Sequence, residues 1–330
     1  LLFYYGTRGR SFHSICQAEH TMTKSVVAAV QWSPEVLNPV SGGEKAAAAI
    51  AEAAGQGATL VVFPECWLQG YPYWSGLAPT NPEYQAFRQL SFETAIAADD
   101  PALEPVFAAA EAHNCTVVLG LHEKEGGTIY CTQLYVGPDG RPLGKHRKLI
   151  PTQAERLVWG RGDGSDLDVY ETPVGRLGGL NCFEHQMATA RIALSGMNIQ
   201  VHAAAWPGHA FLDGIIDAST RHLAHENACF VVVAREVMSP GKVPETFPLG
   251  EESTAHWQGH GGSAIIAPGG QYLVEPVYDE ETILTAEINL ADIAVNKWFF
   301  DGTGHYARPD VFQLRWDKRP KPPVDVLQDE

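Results

Sequence analysis

The sequence predicts an α/β fold, and three observations carry that prediction. Short apolar runs rich in β-branched residues alternate with a helical pattern in Ser25–Trp32 (SVVAAVQW), Ser41–Gly55 (SGGEKAAAAIAEAAG) and Thr59–Phe63 (TLVVF). Such alternation builds a sheet covered by helices. The composition, 45% hydrophobic and 19% charged over 330 residues, is that of an ordinary globular chain. No low-complexity linker or composition break interrupts residues 23–310, so one domain is expected there.

The elements follow in order. Ser25–Trp32 reads as a buried strand, and Ser41–Gly55 as an alanine-rich helix with a Ser/Gly start and a glycine stop. Thr59–Phe63 is a second buried strand, ending at Pro64-Glu65. Cys66–Thr80 (CWLQGYPYWSGLAPT) is aromatic and rich in Gly and Pro, hence a loop of the kind that carries function. Helices are expected near Pro82–Ile96 and Ala102–His113. A strand follows at Thr116–His122, then a pair at Thr128–Val136 and Leu143–Leu149 around the turn Pro138-Asp139-Gly140. Ile150–Asp166 is polar and has no clear period. Val174–Cys182 reads as a strand, Glu184–Ser195 as a helix, and Asn198–Ala205 as a strand. Trp206-Pro207-Gly208 then turns into the helix Gly214–Asn227, and Cys229–Ala234 is again a strand. Ser239–Gly262 is a long loop, and Ser263–Ala267, Gln271–Pro276 and Thr282–Ile288 complete the strand set.

Both ends stand apart. Residues 1–22 precede the expected domain start near Thr23 and read as a non-native or disordered extension; residues 311–330 read as an extended, charged, proline-containing tail. A formal charge of −16, from 23 basic and 39 acidic residues, argues against nucleic acid or an anionic membrane as partner. No run approaches the roughly 18–20 apolar residues of a membrane span. The six cysteines form no C-x-x-C pair and are widely and irregularly spaced, as expected of reduced thiols in a cytoplasmic protein.

The chemistry-bearing residues gather at strand ends. Cys182 closes an apolar, glycine-rich run just before a helical pattern, where a helix N-terminus favours the thiolate. It is either a nucleophile or a buried small residue in a tight corner. Glu65 closes another buried strand, where desolvation makes a carboxylate a better base near neutral pH; a capping role is the alternative. Lys148 sits at the end of an apparent strand, within GKHRKLIP, with a solvated basic edge as its alternative, and Glu155 lies seven residues on in the polar loop. His185 and His202 suit structural roles better than a base. Functional side chains of open α/β sheets collect at strand C-termini, and Glu65, Lys148 and Cys182 sit at three of them.

The segments VVFPECWLQGYPYW, GKHRKLIPTQAERLVWGRGDGS and GRLGGLNCFEH, with HAAAWPG and GGSAIIAPGGQYL, make the chain resemble the nitrilase (carbon–nitrogen hydrolase) superfamily over residues 25–315. The KLIPTQAERLVWGRGDGS stretch and the Cys-aromatic-Glu-His pattern resemble its nitrilase and cyanide hydratase branch. The resemblance implies a four-layer α-β-β-α sandwich. It implies Cys182 as nucleophile, Glu65 as general base, Lys148 as the cation beside the developing anion, and Glu155 as an additional carboxylate. It also implies hydrolysis of a small-molecule nitrile to acid and ammonia through thioimidate and thioester intermediates, some amide by-product, no cofactor and no metal. A homo-oligomer built from dimers, extending into spirals, is implied as well.

An amidase of the same superfamily and a cyanide hydratase are the near alternatives. A metal site at His256-x-x-x-His260 is a further one, although the loop is a poor helix for that spacing. The aromatic loop with Tyr71, together with Trp159, Phe183 and Trp206, is expected to wall the substrate pocket. Phe183 and Met187–Thr189 depart from the residues common in the family beside the nucleophile.

Overall fold

Two mixed β-sheets stack face to face in the computed structural model, which describes residues 24–247, 250 and 254–321. The expected extension 1–22 and the end of the expected tail, 322–330, lie outside the described residues. The first sheet holds β1 (Lys24–Gln31), β2 (Leu60–Val62), β3 (Thr116–Glu125), β4 (Thr128–Val136), β5 (Pro142–Arg147) and β13 (Thr282–Asn289), in the order β13-β1-β2-β3-β4-β5. The second holds β6 (Tyr170–Thr172), β7 (Gly175–Asn181), β8 (Val201–Trp206), β9 (Phe230–Arg235), β10 (Val237–Met238), β11 (Gly259–Ile266) and β12 (Tyr272–Tyr278). Its order is β10-β11-β9-β8-β7-β6, with β12 paired to β11. At the centre of each sheet three strands run parallel, β1-β2-β3 and β7-β8-β9.

Side-chain alternation explains the layers. Along β1, Val27 and Ala29 face the second sheet, while Ala28 and Val30 face helices α1 (Pro39–Gly55) and α3 (Glu104–His113). Along β9, Phe230 and Val232 point to the first sheet, and Val231 and Val233 to helices α4 (Ala188–Gly196) and α5 (Asp213–Glu226). Strands covered on both faces read as unbroken apolar runs, which is why SVVAAVQW and CFVVVA lack a polar face. Each fully buried Val, Leu or Phe contributes roughly 1.5–3 kcal/mol. The result is the four-layer α-β-β-α sandwich implied by the resemblance.

Several boundaries differ from the sequence reading. Helix α1 begins at Pro39, with Asn38 Oδ1 accepting from Ser41 N–H, so Asn38-Pro39 and not Ser41 sets its start. The expected helix Glu184–Ser195 is two pieces: a 3₁₀ turn over Cys182–Gln186, a break at Met187, and then α4. The start of β11 lies inside the stretch expected to be loop, and the two-residue β10 just before that stretch was not expected. Helix α6 (Ala291–Phe299) was not expected; its aromatic residues lie on an exposed face and give no core-facing period. Of the tail, residues 312–321 form neither helix nor strand, yet Trp316 Nε1 donates to the Gly164 carbonyl at 3.0 Å.

One glycine decides how closely the first site-bearing turn is held. A Cβ on Gly120 of β3 would stand 2.2 Å from the Pro64 carbonyl oxygen and 2.5 Å from the Cys66 nitrogen. Backbone cannot yield as a flexible side chain can. Gly120→Ala should therefore cost about 1–3 kcal/mol of stability in urea unfolding, the usual cost of overpacking. Unchanged stability would contradict this approach of β3 to the Glu65 turn.

Candidate active site

Three strand ends meet between the sheets. Glu65 follows β2, Lys148 follows β5 directly, and Cys182 follows β7 directly. The first two belong to one sheet and the third to the other, so the stacking of the sheets itself brings the thiol to the carboxylate. Lys148 Nζ donates to Glu65 Oε1 at 2.7 Å and to Glu155 Oε2 at 2.6 Å. The Glu65, Glu155 and Cys182 donor atoms all lie within 4.8 Å of one another. All four side chains are buried.

Each group is held from behind. Glu155 lies on a 3₁₀ turn, Gln153–Leu157, and its Oε2 accepts from the Thr152 N–H at 2.6 Å while Oε1 accepts from the Tyr71 hydroxyl at 2.7 Å. The Cys131 thiol donates to Glu65 Oε1 at 3.3 Å. Lys148 N–H donates to the Cys131 carbonyl, and the Lys148 carbonyl accepts from Gly162 N–H. Cys66 and Cys182 both have positive φ, 53° and 52°. For non-glycine residues this left-handed backbone costs about 1–2 kcal/mol, and it turns each chain sharply where its strand ends.

The electrostatics follow from burial. Desolvation pushes the Glu65 carboxyl up to about 7, with Lys148 opposing the shift and Glu155 adding to it. Burial disfavours the Lys148 ammonium, but Cys182, Glu155 and Glu65 outweigh that and hold it well above the ordinary lysine value. Burial and the Glu65 charge drive the Cys182 thiol well above its usual value, against Lys148 and a hydrogen bond from the Phe183 N–H. This corrects the expectation of a helix-favoured thiolate. The sulfur heads a short 3₁₀ turn between two carboxylates, where burial disfavours the thiolate.

A cavity of about 260 Å³ opens onto Cys182. A cavity of roughly 150 Å³ holds a benzene ring, so there is room for an aryl group and a short linker. Tyr71 and Phe183 line it. Trp159 and Trp206 are not among its lining residues. The Trp159 ring lies beneath Lys148 Nζ, 5.3 Å from the ring centre, and packs edge-on to Tyr71. Trp206 is fully buried, stacked on His185 with ring centres 4.9 Å apart. Both brace the wall and do not form it.

The other walls include Tyr73, Ser75, His209, Phe211 and His256. Tyr73 and Ser75 belong to the aromatic loop, but nothing in the local sequence pairs His209, Phe211 or His256 with Cys182.

The histidines fall into place as structure. His185 Nδ1 is 2.6 Å from the Cys182 carbonyl oxygen and its Nε2 is 3.0 Å from His202 Nε2. The carbonyl can only accept, so Nδ1 carries the proton and Nε2 accepts from His202. Burial keeps both rings neutral, His185 down at about 4. His256 and His260 do not share a helix face: His260 lies in β11 and its Nε2 meets Asp213 at 3.1 Å, while His256 lines the cavity. Between Glu65 and Glu155, the cation in place is the Lys148 ammonium.

The chain is similar to known proteins in sequence and in fold. The carbon-nitrogen hydrolase family model matches residues 26–297. An aliphatic nitrilase of Rhodococcus rhodochrous is 38% identical over 317 residues, covering 93% of this chain and 86% of its own. Nitrilase 2 of Arabidopsis thaliana is 39% identical over 296 residues, covering 86% of each. Among solved structures, Saccharomyces cerevisiae Nit3, a nitrilase superfamily member, aligns with a TM-score of 0.68 at 19% identity, over 86% of this chain and 96% of that one. XC1258 of Xanthomonas campestris, a CN-hydrolase superfamily protein, aligns with a TM-score of 0.67 at 18% identity, over 86% and 97%. With a family match across most of its length, the chain belongs to the carbon–nitrogen hydrolase family.

Proposed function

We propose that the protein is a nitrilase that hydrolyses an organic nitrile to the carboxylic acid and ammonia, with Cys182 as nucleophile, Glu65 as general base and Lys148 as the stabilising cation. The observation that carries this reading is the meeting of a buried thiol, a carboxyl raised to about 7 and a buried ammonium, with the thiol lining a cavity. The nitrilase names of the relatives support it.

As the Cys182 sulfur attacks the nitrile carbon, its proton passes to Glu65 and the C–N π pair goes to nitrogen. Glu65 passes that proton on to the nitrogen, giving the thioimidate and returning Glu65 to the carboxylate. Glu65 then takes a proton from water as it adds, and the nitrogen leaves as ammonia when the tetrahedral species collapses to the thioester. A second water, activated in the same way, releases the acid and returns the thiol. Where the tetrahedral species expels sulfur instead of ammonia, an amide forms. Lys148 holds Glu65 in place and offsets the developing negative charge, and Glu155 fixes Lys148 from the other side.

The rings of Tyr71, Tyr73, Phe183 and Phe211 favour an aryl or arylaliphatic nitrile. We assign one hydrolase domain to residues 23–310. We also assign a homo-oligomeric state: Trp298, Phe299 and Phe312 are 74%, 65% and 79% exposed, and exposed apolar side chains of this size suit a subunit contact. A cytoplasmic location fits the free thiols of the described cysteines. No helix among the described residues is long and apolar enough to cross a membrane.

Two measurements test the reading. Cys182→Ala should lower ammonia release from a nitrile by about 10⁴-fold or more, the scale on which nucleophile loss acts, with unchanged circular dichroism. Retained turnover would sink the assignment. The second is the pH profile of kcat/KM. Glu65 must be ionised to accept the thiol proton, and its carboxyl is raised to about 7, so activity should rise with pH through that value and be lost below it. Glu155 is one of the charges that raise Glu65, so Glu155→Gln should move this acid limb to lower pH. An unmoved limb would mean that another group controls it.

A further inference from the structure

Glu184, two residues beyond the nucleophile, takes no part in the proposed chemistry, yet its carboxylate is fully buried and fully occupied. Oε1 accepts from the Leu149 backbone N–H at 2.7 Å, and Oε2 accepts from the Asn181 backbone N–H at 2.7 Å. Leu149 is the residue after Lys148, and Asn181 the residue before Cys182. His146 Nε2 donates to the same carboxylate, 3.2 and 3.1 Å from its two oxygens. Burial disfavours the His146 imidazolium, but Glu184 and Asp166 outweigh it and raise the ring to about 10. Burial likewise disfavours the Glu184 carboxylate, and His146 more than compensates, holding it below the ordinary glutamate range. The pair is therefore charged at neutral pH, and the carboxylate accepts through both oxygens.

The Asn181 contact is the return half of an ordinary capping box for the 3₁₀ turn. The other two contacts are not. They leave the second sheet and reach the end of β5 in the first. Asp166 adds to the same anchor, its Oδ2 accepting from the Arg147 N–H at 3.2 Å and its Oδ1 standing 3.5 Å from His146 Nδ1. The backbone on both sides of Lys148 is thus pinned by carboxylates, and one of them also pins the backbone beside Cys182.

We infer that Glu184 is a positioning residue that bridges the backbone beside Lys148 to the backbone beside Cys182, and so sets the separation of cation and nucleophile across the two sheets. This rests on the roles proposed for Lys148 and Cys182. A carboxylate is needed because both partners are donors. In Glu184→Gln one oxygen remains, and an amide N–H faces the other backbone N–H. In Glu184→Asp the charge stays but the side chain is one methylene short of spanning both.

The test is turnover of a nitrile per intact site, counted by iodoacetamide labelling mapped to Cys182. Glu184→Gln should retain a labelled Cys182 and native circular dichroism. Its kcat per labelled site should fall about 100-fold, the scale of a slight misplacement of reacting groups, with KM changed far less. A role in stability alone would lower the number of intact sites and leave kcat per site at the parent value, and that result overturns the inference. Should Glu184→Gln not fold, Glu184→Asp carries the same expectation, and parent-like kcat per site in that variant overturns it equally. Cys182→Ala in the same assay separates the two layers. If it still turns over the nitrile, the reading of the site has failed; if it is inactive while Glu184→Gln turns over normally, only the positioning role has.

Discussion

One ammonium between two carboxylates governs this molecule. Lys148 is buried with Glu65 on one side and Glu155 on the other, and the Cys182 thiol completes the group. Removing either partner of such a buried pair typically costs about 3–5 kcal/mol, because the charge left behind has neither water nor counter-ion. A single positive charge cannot balance two carboxylates and a thiolate together. One proton must stay, shared between Glu65, raised to about 7, and a thiol pushed well above its usual range. The proposed reaction begins from that arrangement: the nucleophile is stored as a thiol, and the base beside it is ready to take the proton only when a carbon is in reach.

The fold keeps the cluster in register. Its members come from both sheets, so relative sheet position matters as much as any single side chain. Four devices hold the cluster: the close approach of Gly120 to the Pro64–Cys66 turn, the left-handed Cys66 and Cys182, the Tyr71 hydroxyl on Glu155, and, across the sheets, the Glu184 carboxylate. The neutral His185–His202 pair adds a further tie on the Cys182 carbonyl. Aromatic rings then close the floor, with Trp159 under the ammonium and Trp206 behind His185. Backbone groups beside Lys148 and Cys182 are hydrogen-bonded, while the cavity walls come from longer loops.

Much of this was legible in the chain. Apolar runs such as TLVVF and GRLGGLN lead into Glu65 and Cys182, and unbroken apolar runs located every strand of both sheet centres. What stayed hidden depends on distance in sequence. His209, Phe211 and His256 reach the cavity from loops whose local pattern is merely Gly- and Pro-rich. Trp206 and Trp159 were expected to touch substrate because aromatic side chains suit pockets and cores equally, and only packing separates the two. The helix expected from Glu184 to Ser195 breaks at Met187, and nothing in residues 184–195 announces a 3₁₀ turn. The thiol's state went the other way from expectation, since helix-end electrostatics can be read locally but burial between two distant carboxylates cannot.

The central claim is that the carbon of the nitrile becomes bonded to the Cys182 sulfur. Acid-quenching the enzyme during turnover, followed by peptide mass spectrometry, measures this directly. The account predicts an imidoyl or acyl mass increment on the peptide carrying Cys182 and none on those carrying Cys66 or Cys131. An active enzyme with no adduct at Cys182, or with the adduct on another cysteine, would contradict it.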